Sequence, residues 1–145
     1  MKMRANEKAA IDGYFSHPIR GVRGNAATAE EMEANCRKCR AVAHDLMRRF
    51  TKIDLYIPAD HDEFVSFAFQ TKILTDTQIL DIDCMIVDDR DFLVYYNPFD
   101  HISQGMSREI AFAKANHIPM FEVKKNNAGT RKRFAKFIEQ LLEAK

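Results

Sequence analysis

Ala10-Ile11-Asp12-Gly13-Tyr14-Phe15-Ser16-His17-Pro18-Ile19-Arg20-Gly21 begins as a buried strand and then breaks. Residues 10–15 predict the strand, and Ser16-His17-Pro18 ends it, because proline has no N–H to offer a central ladder. Arg20 then stands where the chain leaves the sheet. A second stretch, Ser103-Gln104-Gly105-Met106-Ser107-Arg108-Glu109-Ile110-Ala111, reads as a small-residue turn feeding a helix, with a carboxylate one turn inside it. In a parallel sheet both stretches fall at the carboxyl ends of strands, where such sheets bind ligands.

Working outward, the loop through Gly21 and Gly24 reaches Thr28, an N-cap with Glu31 at capping-box spacing. The pattern predicts a helix over residues 29–49, since Met32, Cys36, Cys39, Val42, Ala43, Leu46 and Phe50 recur at three- and four-residue steps on one apolar face. Residues 54–57 predict a second strand, closed by Pro58. Residues 60–72 are mixed: Phe64, Phe67 and Phe69 either cover a pocket or pack a short helix. A helix is expected over 76–89, with Ile79, Ile82, Met85 and Ile86 on its apolar side. Phe92-Leu93-Val94-Tyr95-Tyr96 is the clearest strand, stopped by Asn97-Pro98. A helix from Gly105 to Asn116, a strand over 120–123 and an amphipathic helix over 130–144 complete the chain. Strands alternating with helices predict a doubly wound α/β fold, a flavodoxin- or Rossmann-like three-layer sandwich with a mainly parallel sheet. No repeat or linker interrupts residues 1–145, so one domain is expected.

Composition narrows the function. Hydrophobic residues make up 46% and charged residues 30% of 145, a globular mixture, and the formal net charge of +1 supplies no field for nucleic acid or an anionic membrane. The local basic runs, such as Arg131-Lys132-Arg133, read as solvated helix faces. No apolar run approaches the roughly 18 residues that span a bilayer, and residues 1–8 lack the apolar core of a signal peptide. Three cysteines, Cys36, Cys39 and Cys84, argue against a secreted disulfide framework, so a cytoplasmic protein is expected. Cys36-x-x-Cys39 lies inside a helix without a second ligand pair and reads as core packing. His61-Asp62 lacks the partners of a metal phosphohydrolase, and no metal or cofactor is expected.

The candidate site residues come from different loops, as a substrate crevice requires. Glu109, near a helix start where the dipole favours negative charge, is expected to stay ionised; it serves either as a nucleophile or as a helix-stabilising carboxylate. Arg20 can clamp a phosphate with its planar fork of donors or act as an ion-pair partner. Ser103 and Gly105 can offer a hydroxyl and backbone N–H groups to that phosphate, or form an ordinary helix-starting turn. Tyr14 is a site residue or a core tyrosine, and Asp83 stands among several helix-borne acids. His17 and Ile19, flanking Pro18, are candidate substrate contacts.

Tyr14-Phe15-x-x-Pro18-Ile19-Arg20-Gly21, the Asp83 helix and Ser103-x-Gly105-x-x-x-Glu109 together resemble the nucleoside 2-deoxyribosyltransferase superfamily, and most closely its 2′-deoxynucleoside 5′-phosphate N-hydrolase branch. The similarity covers most of residues 10–124, and its specificity lies in the order and spacing of short motifs. It implies that Glu109 attacks the anomeric carbon, Asp83 manages the proton of the departing base, and Tyr14 holds the nucleophile in line. It also implies that Arg20, Ser103 and Gly105 hold a 5′-phosphate, and that the enzyme is a homodimer or larger homo-oligomer acting on a small nucleotide or nucleoside. The sequence departs from the branch at Pro18, where the hydrolases carry serine and the transferases proline, and at His17, Ser107 and Arg108. Base exchange on free deoxynucleosides and non-catalytic nucleotide binding are the alternatives.

Overall fold

The computed structural model describes residues 9–19 and 21–145, with only the backbone of Val22, Arg23 and Asn25. Four strands form one parallel sheet: β1 (Ile11–Ser16), β2 (Ile53–Tyr56), β3 (Phe92–Tyr96) and β4 (Met120–Val123), in the order β2-β1-β3-β4. Five helices connect or follow them: α1 (Ala29–Arg49), α2 (Asp62–Gln70), α3 (Asp76–Asp88), α4 (Gln104–Ala115) and α5 (Ala128–Glu143). The expected α/β class and parallel sheet are those observed.

β1 is buried at all six positions, as a central parallel strand covered on both faces must be. The period-two alternation of a strand divides its side chains between two cores. Ile11 and Phe15 join Ile53, Phe92 and Val94 beneath Cys36, Cys39 and Leu46 of α1 and Phe134 and Ile138 of α5. Tyr14 joins Leu93 on the opposite face, beneath Val87 of α3 and Ala113 of α4. Helices therefore flank both faces. The chain winds outward from β1 in one direction and from β3 in the other, so the strand order reverses between these two neighbours. That switch point is where the crevice of an open α/β sheet lies.

Local chemistry sets the element ends. Thr28 caps α1 by accepting from the Glu31 N–H at 3.1 Å. Thr75 and Gln78 form a reciprocal capping box on α3, and Asn127 starts α5 at Ala128, two residues before the expected position, by accepting from the Thr130 N–H at 2.9 Å. The loop after β1 contains two short 3₁₀ turns within Gly21–Ala26, kinked at Gly24, that the sequence does not announce. Gly21 has φ +67° and lies so close to Asn35 that a Cβ would stand 2.9 Å from its side-chain nitrogen, so glycine is required there. Residues 58–70 form a 3₁₀ turn followed by α2, whose Phe64, Phe67 and Phe69 are 73%, 61% and 47% exposed; these rings do not pack into the core. No helix among the described residues is long and apolar enough to cross a membrane.

Gly13 is the tightest point of the sheet. A Cβ on it would lie 2.4 Å from Phe92 Cζ and 2.9 Å from Leu55 Cδ2, because the Phe92 ring lies over the bare backbone of β1. Overpacking of this kind costs about 1–3 kcal/mol, more than the roughly 0.4–1 kcal/mol gained by stiffening the unfolded chain. Gly13→Ala is expected to destabilise the protein in urea denaturation. A midpoint equal to that of the parent would mean that the Phe92 ring moves aside freely.

Candidate active site

Tyr14 and Ser16 are two residues apart on β1, so both side chains point toward α3 and α4. There they meet one carboxylate. The Tyr14 hydroxyl donates to Glu109 Oε2 in a short hydrogen bond, and Ser16 Oγ donates to Oε1 at 2.8 Å. All three residues are buried; Ser16 is 0% and Glu109 5% exposed. Glu109 is the sixth residue of α4, beyond the first turn, where the helix dipole has faded. Its expected permanent ionisation is therefore corrected. Burial pushes its carboxyl up to about 7, and the nearby Asp83 charge adds to the rise. The two hydroxyl donors pull the other way, but burial prevails.

Asp83, on α3, is itself pushed up to about 6 by burial. Its charge is felt by Tyr14 and Tyr56 as well as by Glu109, so α3 brings it to the same buried cluster. Burial and these acidic neighbours raise the Tyr14 phenol well above its ordinary value, which keeps it a donor. Its ring stacks on Tyr56, the cross-strand partner on β2, with centroids 5.5 Å apart. The Tyr56 ring also stacks with His61 at 4.8 Å, and the Arg90 guanidinium lies 5.5 Å from the Tyr56 ring centre.

The remaining sequence candidates fall around this cluster. Ser103 is the N-cap of α4: its oxygen accepts from the Met106 N–H at 3.2 Å, which engages a lone pair rather than the hydroxyl proton. Gly105 occupies the second position of α4, among the N–H groups that a helix start leaves without intrahelical partners. Steric need does not impose glycine there, since a Cβ would touch Leu80 at an ordinary 3.5 Å. Ile19 is 36% exposed, and its carbonyl accepts from the Asn35 side chain at 3.1 Å. Arg20 lies outside the described residues.

His17 is only 5% exposed. Its Nε2 accepts from the Ala59 N–H at 3.1 Å and its Nδ1 faces the Pro18 carbonyl at 3.4 Å, so the ring ties the end of β1 to the turn after β2. Burial lowers it to about 4, and it remains neutral near pH 7. Cys36 and Cys39 are buried thiols raised by burial to about 11 and about 12, in keeping with core packing. Among the described residues no group of three or more His, Cys, Asp or Glu side chains is placed to hold a metal ion.

A groove of about 420 Å³ lies between α3 and α4, lined by Asp81, Cys84, Met85, Asp88, Arg108 and Phe112. Its lining omits Tyr14, Asp83 and Glu109, and Arg108 forms an ion pair there with Asp81 rather than approaching the buried carboxylate. The cluster at Glu109, not the groove, holds the two carboxyls that burial raises toward neutral pH. Ser16 and Tyr56 belong to this cluster although the sequence reading does not single them out. The two-residue step from Tyr14 is a usable signal for Ser16; Tyr56 requires the strand register. In comparisons with known proteins, the chain matches no family model, no curated protein and no solved structure.

A carboxyl raised from 4.5 to about 7 holds its proton more tightly in the folded than in the unfolded chain. The associated stability is present in full below about 4.5 and is lost as pH rises through about 7, a span worth about 3 kcal/mol. Asp83, raised to about 6, contributes with the same sign. Glu109→Gln stays neutral at every pH and is therefore expected to melt higher than the parent at pH 8, with the difference shrinking toward pH 5. A difference that stays constant across this range, read by thermal denaturation, would contradict the burial effect.

Proposed function

We propose that the protein is an N-glycosidase that cleaves the base–sugar bond of a nucleoside 5′-monophosphate, in particular the 2′-deoxy form, through a covalent glycosyl-Glu109 intermediate. The observation that carries this reading is the buried Glu109 carboxylate, held by Tyr14 and Ser16 with Asp83 beside it at the sheet's switch point. A carboxylate nucleophile with a second carboxyl to serve the leaving group is the pairing that retaining glycoside cleavage requires.

In this scheme an oxygen of ionised Glu109 bonds to the anomeric carbon as the carbon–nitrogen bond breaks. The bonding pair departs with the base, which takes the Asp83 proton. Water then attacks the same carbon and gives a proton back to Asp83, and Glu109 leaves as a carboxylate. Tyr14 stays protonated throughout and steers Glu109. Arg20, the Ser103 hydroxyl and the N–H groups at the start of α4 form the proposed phosphate clamp. Pro18 favours the second reading, in which a free base rather than water accepts the sugar.

Incubation with ribo- and deoxynucleotides and their nucleosides, with released base detected by chromatography, tests the reading. The 5′-monophosphates are expected to react faster than nucleosides. Arg20→Ala is expected to erase most of that preference, one to two decades in kcat/KM, with little loss on nucleosides. Equal handling of both substrates by the parent would move base exchange ahead, and a new nucleoside formed on adding a second base would identify it. Base release by Glu109→Ala within about tenfold of the parent would remove Glu109 as nucleophile.

The productive form carries its charge on Glu109 and its proton on Asp83. Activity should rise as Glu109 ionises toward about 7 and fall as Asp83 loses its proton above about 6, giving a bell with its maximum between about 6 and 7. Asp83→Asn is expected to slow release of poor leaving bases by roughly a hundred- to ten-thousand-fold and of activated bases far less. An equal loss on both classes would assign Asp83 to binding or structure.

A further inference from the structure

The carboxylate of Glu109 is gripped at both oxygens, and the second grip comes from a residue with no assigned role. Ser16 is the last residue of β1, 0% exposed, and directs its hydroxyl to Oε1 at 2.8 Å while Tyr14 holds Oε2. A glutamate's terminal torsion is broad and roughly two-fold, so one donor leaves the carboxylate plane free to swing. Two donors on one strand face, one to each oxygen, fix the plane. Ser16 is bound to the carboxylate of another element rather than to a neighbouring backbone group.

We propose that Ser16 is a positioning residue of this site: together with Tyr14 it clamps both oxygens of Glu109 and holds the carboxylate in one orientation for attack. What Glu109 is held for rests on the glycosidase reading; the clamp itself does not. The titratable groups facing Glu109 are Tyr14 from β1, Tyr56 from β2, and Asp83 and Cys84 from α3. Among these described neighbours no cation offsets its burial, so the hydroxyl donors are what favour its charged form.

Ser16→Ala removes the donor, and Ser16→Cys keeps nearly the same shape with a much weaker one. The first measurement is a carbon-13 NMR titration of glutamate side-chain carboxyls, with the Glu109 signal assigned by its loss in Glu109→Gln. Its midpoint is expected to rise by about one pH unit in Ser16→Ala and by less in Ser16→Cys. The second measurement is kcat and KM against pH on whichever 2′-deoxynucleoside 5′-monophosphate the substrate panel shows to react. Because Glu109 is the weaker acid of the pair, it governs the alkaline limb of the kcat profile, which should move up by the same amount while the acid limb stays near that of Asp83. At its maximum kcat should fall by about tenfold or more, from misorientation and from the smaller fraction in the productive protonation state, with KM unchanged. A residue that only packed the strand end would lower stability and move neither the midpoint nor the alkaline limb. If Ser16→Ala does not fold, the Ser16→Cys titration decides. A Glu109 midpoint equal to that of the parent overturns the clamp whether or not the panel turns over. A panel without turnover overturns the glycosidase reading, and the NMR titration still decides whether Ser16 holds the carboxylate.

Discussion

The position of one carboxylate constrains the centre of this molecule. Glu109 reaches from α4 to the carboxyl half of β1, where it is buried, and a carboxylate can be buried only if its oxygens find donors. Those donors must come from the strand beneath, which requires hydroxyls at alternate positions of β1 on the α3–α4 side. The intervening residue, Phe15, then faces the α1–α5 core. On that same side Gly13 gives up its side chain to the ring of Phe92. Polar chemistry on one face of β1 and close aromatic packing on the other are thus consequences of one period-two strand.

Burial and hydrogen bonding oppose each other at this carboxylate, and burial wins. A carboxyl near 7 is neither fully charged nor fully neutral at physiological pH, which suits the nucleophile role proposed for it. The nearest sequence neighbour with a positive charge, Arg108, points into the α3–α4 groove and pairs with Asp81. Had it turned inward, its charge would have lowered Glu109 toward the ordinary carboxylate range and offset the rise that burial and Asp83 produce.

Much of this is legible in the chain, for identifiable reasons. The helix over 29–49 and the strand over 92–96 stand where the sequence places them, because periodicity and stop signals agree there: Thr28 caps the first, and Asn97-Pro98 ends the second. Tyr14, Asp83 and Glu109 stand out through motif order, and the fold brings them together. What cannot be read depends on tertiary context. The ionisation of Glu109 escapes the sequence because helix position is local whereas burial is not. His17, set beside the site by its neighbours in sequence, has both ring nitrogens turned to main chain by the approach of Ala59 from across the sheet. The rings over residues 60–72 are ambiguous between covering a pocket and packing a short helix; the short helix forms as α2, but its rings stay exposed.

The aromatic column beside the site gives Tyr14 a rigidity that its hydrogen bond alone would not. A phenol hydroxyl can direct a carboxylate only as well as its ring is held. This ring is fully buried, with Tyr56 stacked beside it, His61 beyond, and the Arg90 cation near the Tyr56 ring. Stacked and cation–π contacts of this kind are each worth about 0.5–1.5 kcal/mol, modest beside the cost of the buried charge, but they act on orientation. β2 therefore reaches the site without touching Glu109: register pairs Tyr56 with Tyr14, the stack fixes Tyr14, and Tyr14 with Ser16 fixes Glu109. The switch point brings Glu109 to β1, and the flanking strand supplies the stiffness of the residues that hold it.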